Sequence, residues 1–333
     1  MIEYSNVRDV HLEISTLCNA ACPQCPRNAN GYPHNDGYPE LNLTLENAKK
    51  IFSYDFLQQL ISININGNFG DIVMNPEGAD IIEYFFSENK KLKVSVSTNA
   101  GARNRDFWQR LARAGAQVTF CIDGLEDTHH LYRQNTVWST VIKNAQVFID
   151  AGGKAIWKMI KFKHNQHQIV ECQRLSRQLG FWGFQIADQG RDTGPVYDKN
   201  GNLTHILGDY QGETEFRVVF YEWRSAPQDI KNYKIGKTVT KLECETINRK
   251  SIYIAANGDV FPCCYLGLYP RTFGHGTYSE AANKQIAPLM RENNALEFPL
   301  DHCLKWFKSV EESWKKQEYT DGRLFVCDKV CGS

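Results

Sequence analysis

Apolar and polar residues recur along this chain at two periods, and the periods take turns. Val10-His-Leu-Glu-Ile-Ser repeats at two and predicts a strand over Val10–Ser15. Thr44–Gln59 repeats at the helical period, with Asn42 or Thr44 as its N-cap. The alternation then continues. Strands are predicted at 60–66, 92–98, 117–122, 155–162 and 183–187, and helices at 79–89, 105–114, 137–151 and 169–179. Strands alternating with helices imply a parallel sheet joined by crossovers. In such sheets ligands sit at the carboxyl ends of the strands, so the loops after each strand become the candidates for function. Beyond 190 the pattern changes. Asn200-Gly201 predicts a hairpin, 216–224 a helix, and Ser251–Cys263 a second hairpin turning at Asn257-Gly258.

With 333 residues, 42% of them hydrophobic, the chain can bury a sizeable core. Its 38 Lys plus Arg balance its 38 Asp plus Glu. No basic field is set out for nucleic acid and no polybasic run for a membrane surface. No apolar run approaches the roughly 20 residues of a membrane span. The first residues lack the basic-then-apolar order of a signal peptide, so a cytoplasmic protein is expected. In that setting 11 cysteines point to metal ligation rather than disulfides. Three lie within 18–25 and six within 244–331, while Cys121 and Cys172 stand apart.

The first group is Cys18-Asn-Ala-Ala-Cys22-Pro-Gln-Cys25, just past the first strand. Three thiolates in one tight loop would leave one iron of a [4Fe–4S] cluster without a protein ligand. A structural zinc site needs four N/S ligands, and His11, on a strand seven residues upstream, is poorly placed to be the fourth. A disulfide would leave an odd thiol. C-x3-C-x2-C after a first strand resembles the cluster loop of the radical S-adenosylmethionine (radical SAM) enzymes, although Gln24 stands where an aromatic residue is usual. The resemblance implies an α/β fold, a partial (β/α)6 TIM-like barrel with a small C-terminal Cys-rich α+β auxiliary domain. It implies that Cys18, Cys22 and Cys25 hold a [4Fe–4S] cluster whose open iron is chelated by S-adenosylmethionine. Phe69, Gly70 and Asp71 fall on the family's Gly-Gly-Glu-Pro-like turn, with Asp for Glu and no Pro. Ser97 and Asn99 fall on a Thr-Asn-Gly-like turn. Asp123 falls in a Ser-Ile-Asp-Gly-like stretch, with Cys121 for Ser, and Arg133 ten residues on is a partner for the methionine carboxylate. Lys158, Asn165 and Ile186 complete the implied cofactor contacts. No residue is marked as a catalytic acid or base. Cys121 reads otherwise as a small buried hydrophobe, Cys172 as structural, and His129 and His130 as surface helix residues.

Near the other end, Cys244-x13-Gly258-x4-Cys263 and Cys327-x3-Cys331 resemble the opening and close of the SPASM/twitch auxiliary domains. The central C-x2-C-x5-C is missing, since Trp306 follows Cys303 by three. One auxiliary [4Fe–4S] cluster on Cys244, Cys263, Cys327 and Cys331 is expected, with Cys303 in reserve and Cys264 packed nearby. A zinc site on the same four thiols is the other reading. The expected organisation is 1–190 barrel, 191–240 bridge and 241–333 auxiliary domain. The resemblance implies reductive cleavage of S-adenosylmethionine to a 5′-deoxyadenosyl radical that takes hydrogen from a substrate. A peptide or protein substrate and an external donor such as flavodoxin or ferredoxin go with that reading. RNA or a small metabolite is the alternative substrate. A non-catalytic iron–sulfur carrier and a zinc-stabilised binding protein are the alternative functions.

Overall fold

The computed structural model describes residues 2–29, 31–33, 40–187, 194–208, 242–268 and 277–332. Six strands run in parallel through the first part of the chain: β1 Asp9–Leu12, β2 Ser62–Ile65, β3 Lys93–Thr98, β4 Gln117–Cys121, β5 Lys154–Ile160 and β6 Gly183–Ala187. They are hydrogen-bonded in chain order, as expected of an open, partial barrel. The helices between them include α1 Leu45–Ile51, α2 Tyr54–Gln59, α3 Gly78–Glu88, α4 Arg105–Ala114, α5 Glu126–Tyr132, α6 Trp138–Asp150 and α7 Ile169–Gln178.

The period of two sorts the faces of this sheet. Val10, Leu12, Ile63, Ile65, Val94, Val96, Val118 and Phe120 are fully buried in the main core. Their neighbours Asp9, His11, Ser62, Asn64, Ser95, Ser97 and Thr119 are half-buried on the other face. A slip of one residue in any strand would exchange the two sets, so the core fixes the register. Trp108 on α4 and Trp157 on β5 fill the largest volumes in that core.

The helix expected over 44–59 is two. Thr44 caps the first through the Asn47 amide, and Ser53 caps the second by accepting from Phe56 N at 3.3 Å. Ser53 thus turns one amphipathic stretch into two short helices, because its side chain competes for the backbone. The first strand ends sooner than expected, at Leu12.

The hairpin β7 Gly194–Tyr197 and β8 Leu203–Leu207 forms around Asn200-Gly201 as expected. It lies over the first cysteine loop: Val196 and Leu207 share a small apolar cluster with Ala20, Cys22, Tyr132, Ile160 and Phe162. The helix expected at 216–224 lies outside the described residues.

The second hairpin, β9 Ser251–Ile254 with β10 Val260–Phe261, joins the same sheet. β9 pairs in parallel with β1, from Asp9 opposite Ser251 to Leu12 opposite Ile254. One eight-stranded sheet and one apolar core therefore run through both ends of the chain. α8 Glu245–Arg249, α9 Cys264–Leu268, α10 Thr277–Ile286, α11 Leu300–Cys303, α12 Phe307–Ser313 and α13 Phe325–Cys331 belong to the Cys-rich end. Among the described residues no helix is long and apolar enough to cross a membrane.

Candidate functional site

The loop after β1 carries the first three thiols, and all three pack against the apolar cluster beneath β7 and β8. Short bonds shape the loop: Cys25 N donates to Cys22 O at 3.0 Å and Asn28 Nδ2 to the same carbonyl at 3.2 Å. The Arg27 guanidinium donates to Thr16 O and pairs with Glu40 at 3.0 Å. Burial pushes the Cys18 thiol well up, reinforced by Asp71 and by its two companion cysteines. Donors nonetheless point at the sulfurs. Cys18 Sγ receives Ala20 N at 3.4 Å and Asn99 Nδ2 at 3.5 Å, and Cys22 Sγ receives Arg133 Nη1 at 3.6 Å. Such donors stabilise thiolate over thiol, as a bound cluster requires.

Asp71 stands at the end of the loop after β2. Its carboxylate accepts from Thr98 Oγ1 at 2.6 Å, Asn99 N at 2.7 Å and Val73 N at 3.1 Å. Burial pushes its pKa up, and these bonds together with the Arg133 charge hold it down. Asp71 thereby ties the turn after β2 to the turn after β3. Gly70 beside it lies so close to Ser15 O that an added Cβ would collide with that backbone. This close approach is what the glycine in the turn is for.

Asp123, at the end of β4, is fully buried. It accepts from Arg133 Nε at 2.6 Å and from Ile160 N at 2.5 Å. Gly124 takes φ +117°, where any side chain is strained and an added Cβ would meet Thr128. Asn165 is also fully buried; its amide donates to Asp123 O at 3.2 Å and Ile160 O at 3.0 Å and accepts from Phe162 N at 2.8 Å. It ties the end of β5 to the end of β4. Ser97 sits on the polar face of β3, and Lys158 on β5 is half-buried opposite Cys121. Phe69 is buried behind its turn, and Ile186, on the edge strand β6, is 47% exposed.

Two sequence expectations are corrected. Cys121 is half-buried among Arg133, Asp123, Lys158 and Asp71, not a small core hydrophobe, because the period of two turns it to the polar face. His129 is fully buried rather than on the surface; its partners Asp123 N and Thr136 Oγ1 satisfy both ring nitrogens. Thr98, Glu13 and Thr136 were not singled out by sequence. Glu13, alternating with Val10, Leu12 and Ile14, carried the available signal: a carboxylate on the polar face of an otherwise apolar strand.

Cys244, Cys263, Cys327 and Cys331 all line one apolar cavity, together with Leu266, Val310 and Trp314. Cys244 and Cys331 share a hydrogen bond that lowers the first thiol and raises the second. Burial pushes Cys327 up to about 12. Cys303 is elsewhere: it is buried in the core, and its thiol donates to Phe298 O at 3.7 Å. Cys264 opens α9, and its carbonyl accepts from Asn68 Nδ2 at 2.8 Å. The chemistry of this donor set, four thiols around one apolar space, fits a metal centre. Among the described residues no three His, Cys, Asp or Glu side chains converge as they would around a single ion. Thiolates of a cubane bind different irons and stand farther apart than that. A cleft of about 690 Å³ opens on Cys244, Cys263 and Cys331 and reaches the polar sheet face at Asp9, His11, Ser62 and Asn64.

The two cysteine sets lie at opposite ends of the strands. The first follows the carboxyl end of β1; Cys244 precedes β9, which is parallel to β1, and Cys263 follows its antiparallel partner. Solved structures share this arrangement of elements. Streptococcus suis SuiB bound to S-adenosylmethionine superposes with a TM-score of 0.58 at 14% identity, over 96% of this chain and 68% of that one. Native anSMEcpe with bound AdoMet and the Cp18Cys peptide superposes with a TM-score of 0.53 at 13% identity, over 97% and 89%. The fold is that of the radical SAM enzymes. No family model matches the sequence, and no curated protein matches it. A radical SAM fold puts the loops just described, after β1 to β5, where ligands bind in parallel α/β proteins.

Proposed function

We propose that this chain is a radical SAM enzyme acting on a peptide or protein side chain. The observation that carries the reading is the loop at 18–25: three thiols on one apolar bed, with three hydrogen-bond donors turned to the sulfurs of Cys18 and Cys22. Cys18, Cys22 and Cys25 would hold a [4Fe–4S] cluster. A cluster held there would supply one-electron reductive cleavage of S-adenosylmethionine, and so the 5′-deoxyadenosyl radical chemistry by which hydrogen is taken from a substrate. The chain's own part is to bind and orient. The Phe69–Asp71 turn, Ser97, Asn99, Asp123, Arg133, Lys158 and Ile186 would contact the cofactor, and Asn165 would set the loop beneath it. Cys244, Cys263, Cys327 and Cys331 would hold an auxiliary cluster. Its side towards the cleft would suit it to accept the electron left on a substrate radical after hydrogen abstraction, or to bind the substrate. A small one-electron donor such as flavodoxin or ferredoxin would reduce the first cluster.

The peptide assignment rests on likeness. SuiB has been solved with its precursor peptide SuiA, at a TM-score of 0.52 to this chain and 15% identity, and anSMEcpe with the Cp18Cys peptide. The balanced charge of this chain favours neither RNA nor a membrane surface. The test is anaerobic reconstitution with iron and sulfide, followed by dithionite and S-adenosylmethionine. We expect 5′-deoxyadenosine even without substrate, and none from Cys18→Ala, Cys22→Ala or Cys25→Ala. Zinc near stoichiometry with no bound iron, and no nucleoside product, would overturn the proposal in favour of a zinc-stabilised binding protein.

A further inference from the structure

A closed ring of hydrogen bonds runs through Arg133, Asp123, His129 and Thr136. Arg133 Nε donates to Asp123 Oδ2 at 2.6 Å. The Asp123 backbone N–H donates to His129 Nδ1 at 3.2 Å. A backbone amide only donates, so Nδ1 carries the lone pair and Nε2 the proton. That Nε2–H faces Thr136 Oγ1 at 3.1 Å, and the Thr136 hydroxyl spends its own proton on Arg133 O at 2.7 Å. Every link donates in the same sense, and the last returns to the first residue. Chains of this kind polarise one another in a buried setting.

The ring holds a cation against a cluster ligand. Arg133 Nη1 lies 3.6 Å from Cys22 Sγ. The guanidinium side chain is 14% exposed and the carboxylate it pairs with is fully buried. The Tyr132 ring lies 5.2 Å from the guanidinium, and Ile160 N fixes the second Asp123 oxygen. So the cation cannot swing away without leaving a buried carboxylate and a thiolate short of a donor.

We infer that Arg133 sets the reduction potential of the cluster on Cys18, Cys22 and Cys25, and that His129 and Thr136 are positioning residues that hold it to that task. A fixed positive charge and an N–H donor at a ligating sulfur favour the reduced, more negative cluster, which raises its potential. This inference rests on the proposed cluster, but it does not require Arg133 to bind the cofactor's carboxylate, and the two roles separate in an experiment without S-adenosylmethionine.

The experiment is a potentiometric titration of the reconstituted full chain, read by electron paramagnetic resonance. The auxiliary cluster in the same molecule is the internal control. We expect Arg133→Gln to lower the first potential by about 59 mV or more, a tenfold change in the reduced-to-oxidised ratio for a one-electron couple. His129→Ala and Thr136→Val should move it part of the way in the same direction. His129→Asn, which restores an acceptor for the Asp123 N–H, should return it towards wild type. The auxiliary potential should stay fixed in all four. If Arg133→Gln binds no iron in the first loop, the result is read from Thr136→Val and Arg133→Lys. An unmoved first potential, or equal movement of both clusters, overturns the inference and leaves the proposed function standing. A wild-type chain that assembles no cluster on 18–25 sinks both.

Discussion

A single buried ring shows how much chemistry one residue can hide from a sequence reading. His129 follows Glu126-Asp-Thr and precedes His130, and in that polar run it reads as solvated. Its ring is nevertheless fully buried, and burial pulls its pKa down to about 4 against the nearby Asp123 charge; Arg133 and His130 add to the fall. In the unfolded chain the same ring titrates near its ordinary value of about 6.5. Between those values the unfolded chain takes up a proton that the folded chain refuses. Stability therefore falls as pH is lowered through about 6.5 to 4 and levels off below. The full effect is about 3 kcal/mol, at about 1.36 kcal/mol for each pH unit between the two values. Denaturant unfolding of wild type and His129→Asn at a series of pH values isolates it from the other histidines. The stability difference between the two should shrink by roughly that amount from pH 7 to pH 4; a difference that ignores pH would refute the assignment.

At the scale of elements, the alternation of periods was enough for the six parallel strands and most of the helices, because each strand buries one face and each residue on it is committed by parity. What it missed follows from physics that parity does not carry. The break at Ser53 is a contest between a side-chain cap and a continued helix, settled by local hydrogen bonds. The seat of the second hairpin, on the edge of β1, is a pairing between residues some 240 positions apart, and nothing local encodes it. Spacing singled out the first cysteine loop, and its resemblance to a cluster loop, with the turns that follow, carried the assignment. The auxiliary four were legible only through resemblance, and they now line one cavity while Cys303 bonds a backbone carbonyl in the core. Iron stoichiometry should divide them accordingly. Cys303→Ser should keep the full iron content of the reconstituted chain, with a modest loss of stability of about 1–2 kcal/mol for a hydroxyl placed in an apolar site. Cys263→Ser or Cys327→Ser should lose one cluster's worth. Equal iron loss in Cys303→Ser and Cys327→Ser would mean that the ligand set is wrong.

At the scale of the molecule, the Cys-rich end is built into the sheet and not appended to it. β9 is hydrogen-bonded between β1 and β10, so removing it would expose the edge of the first strand, and bare edges invite pairing with other chains. The seam is also polar and satisfied. The Glu13 carboxylate accepts from Phe69 N at 2.8 Å and from Tyr253 OH at 3.1 Å, which joins β1, the turn after β2 and the second hairpin at one buried acid. Asn68, in the same turn, donates to the Cys264 carbonyl, next to the proposed auxiliary ligand Cys263. Two centres at opposite ends of the strands thus share one core and one set of crossing bonds, and the molecule should unfold as a unit. A metal held at the auxiliary thiols contributes its binding free energy to that unit. Calorimetry of the reconstituted protein should show one transition, and Cys263→Ser should move it down by about 1–2 °C for each kcal/mol lost without splitting it. A second, separate transition for the Cys-rich end would show that the shared sheet does not couple them. In that case the bonds through Glu13 and Asn68 hold two bodies in place that are each stable alone, and the edge of β1 must be guarded by something other than β9.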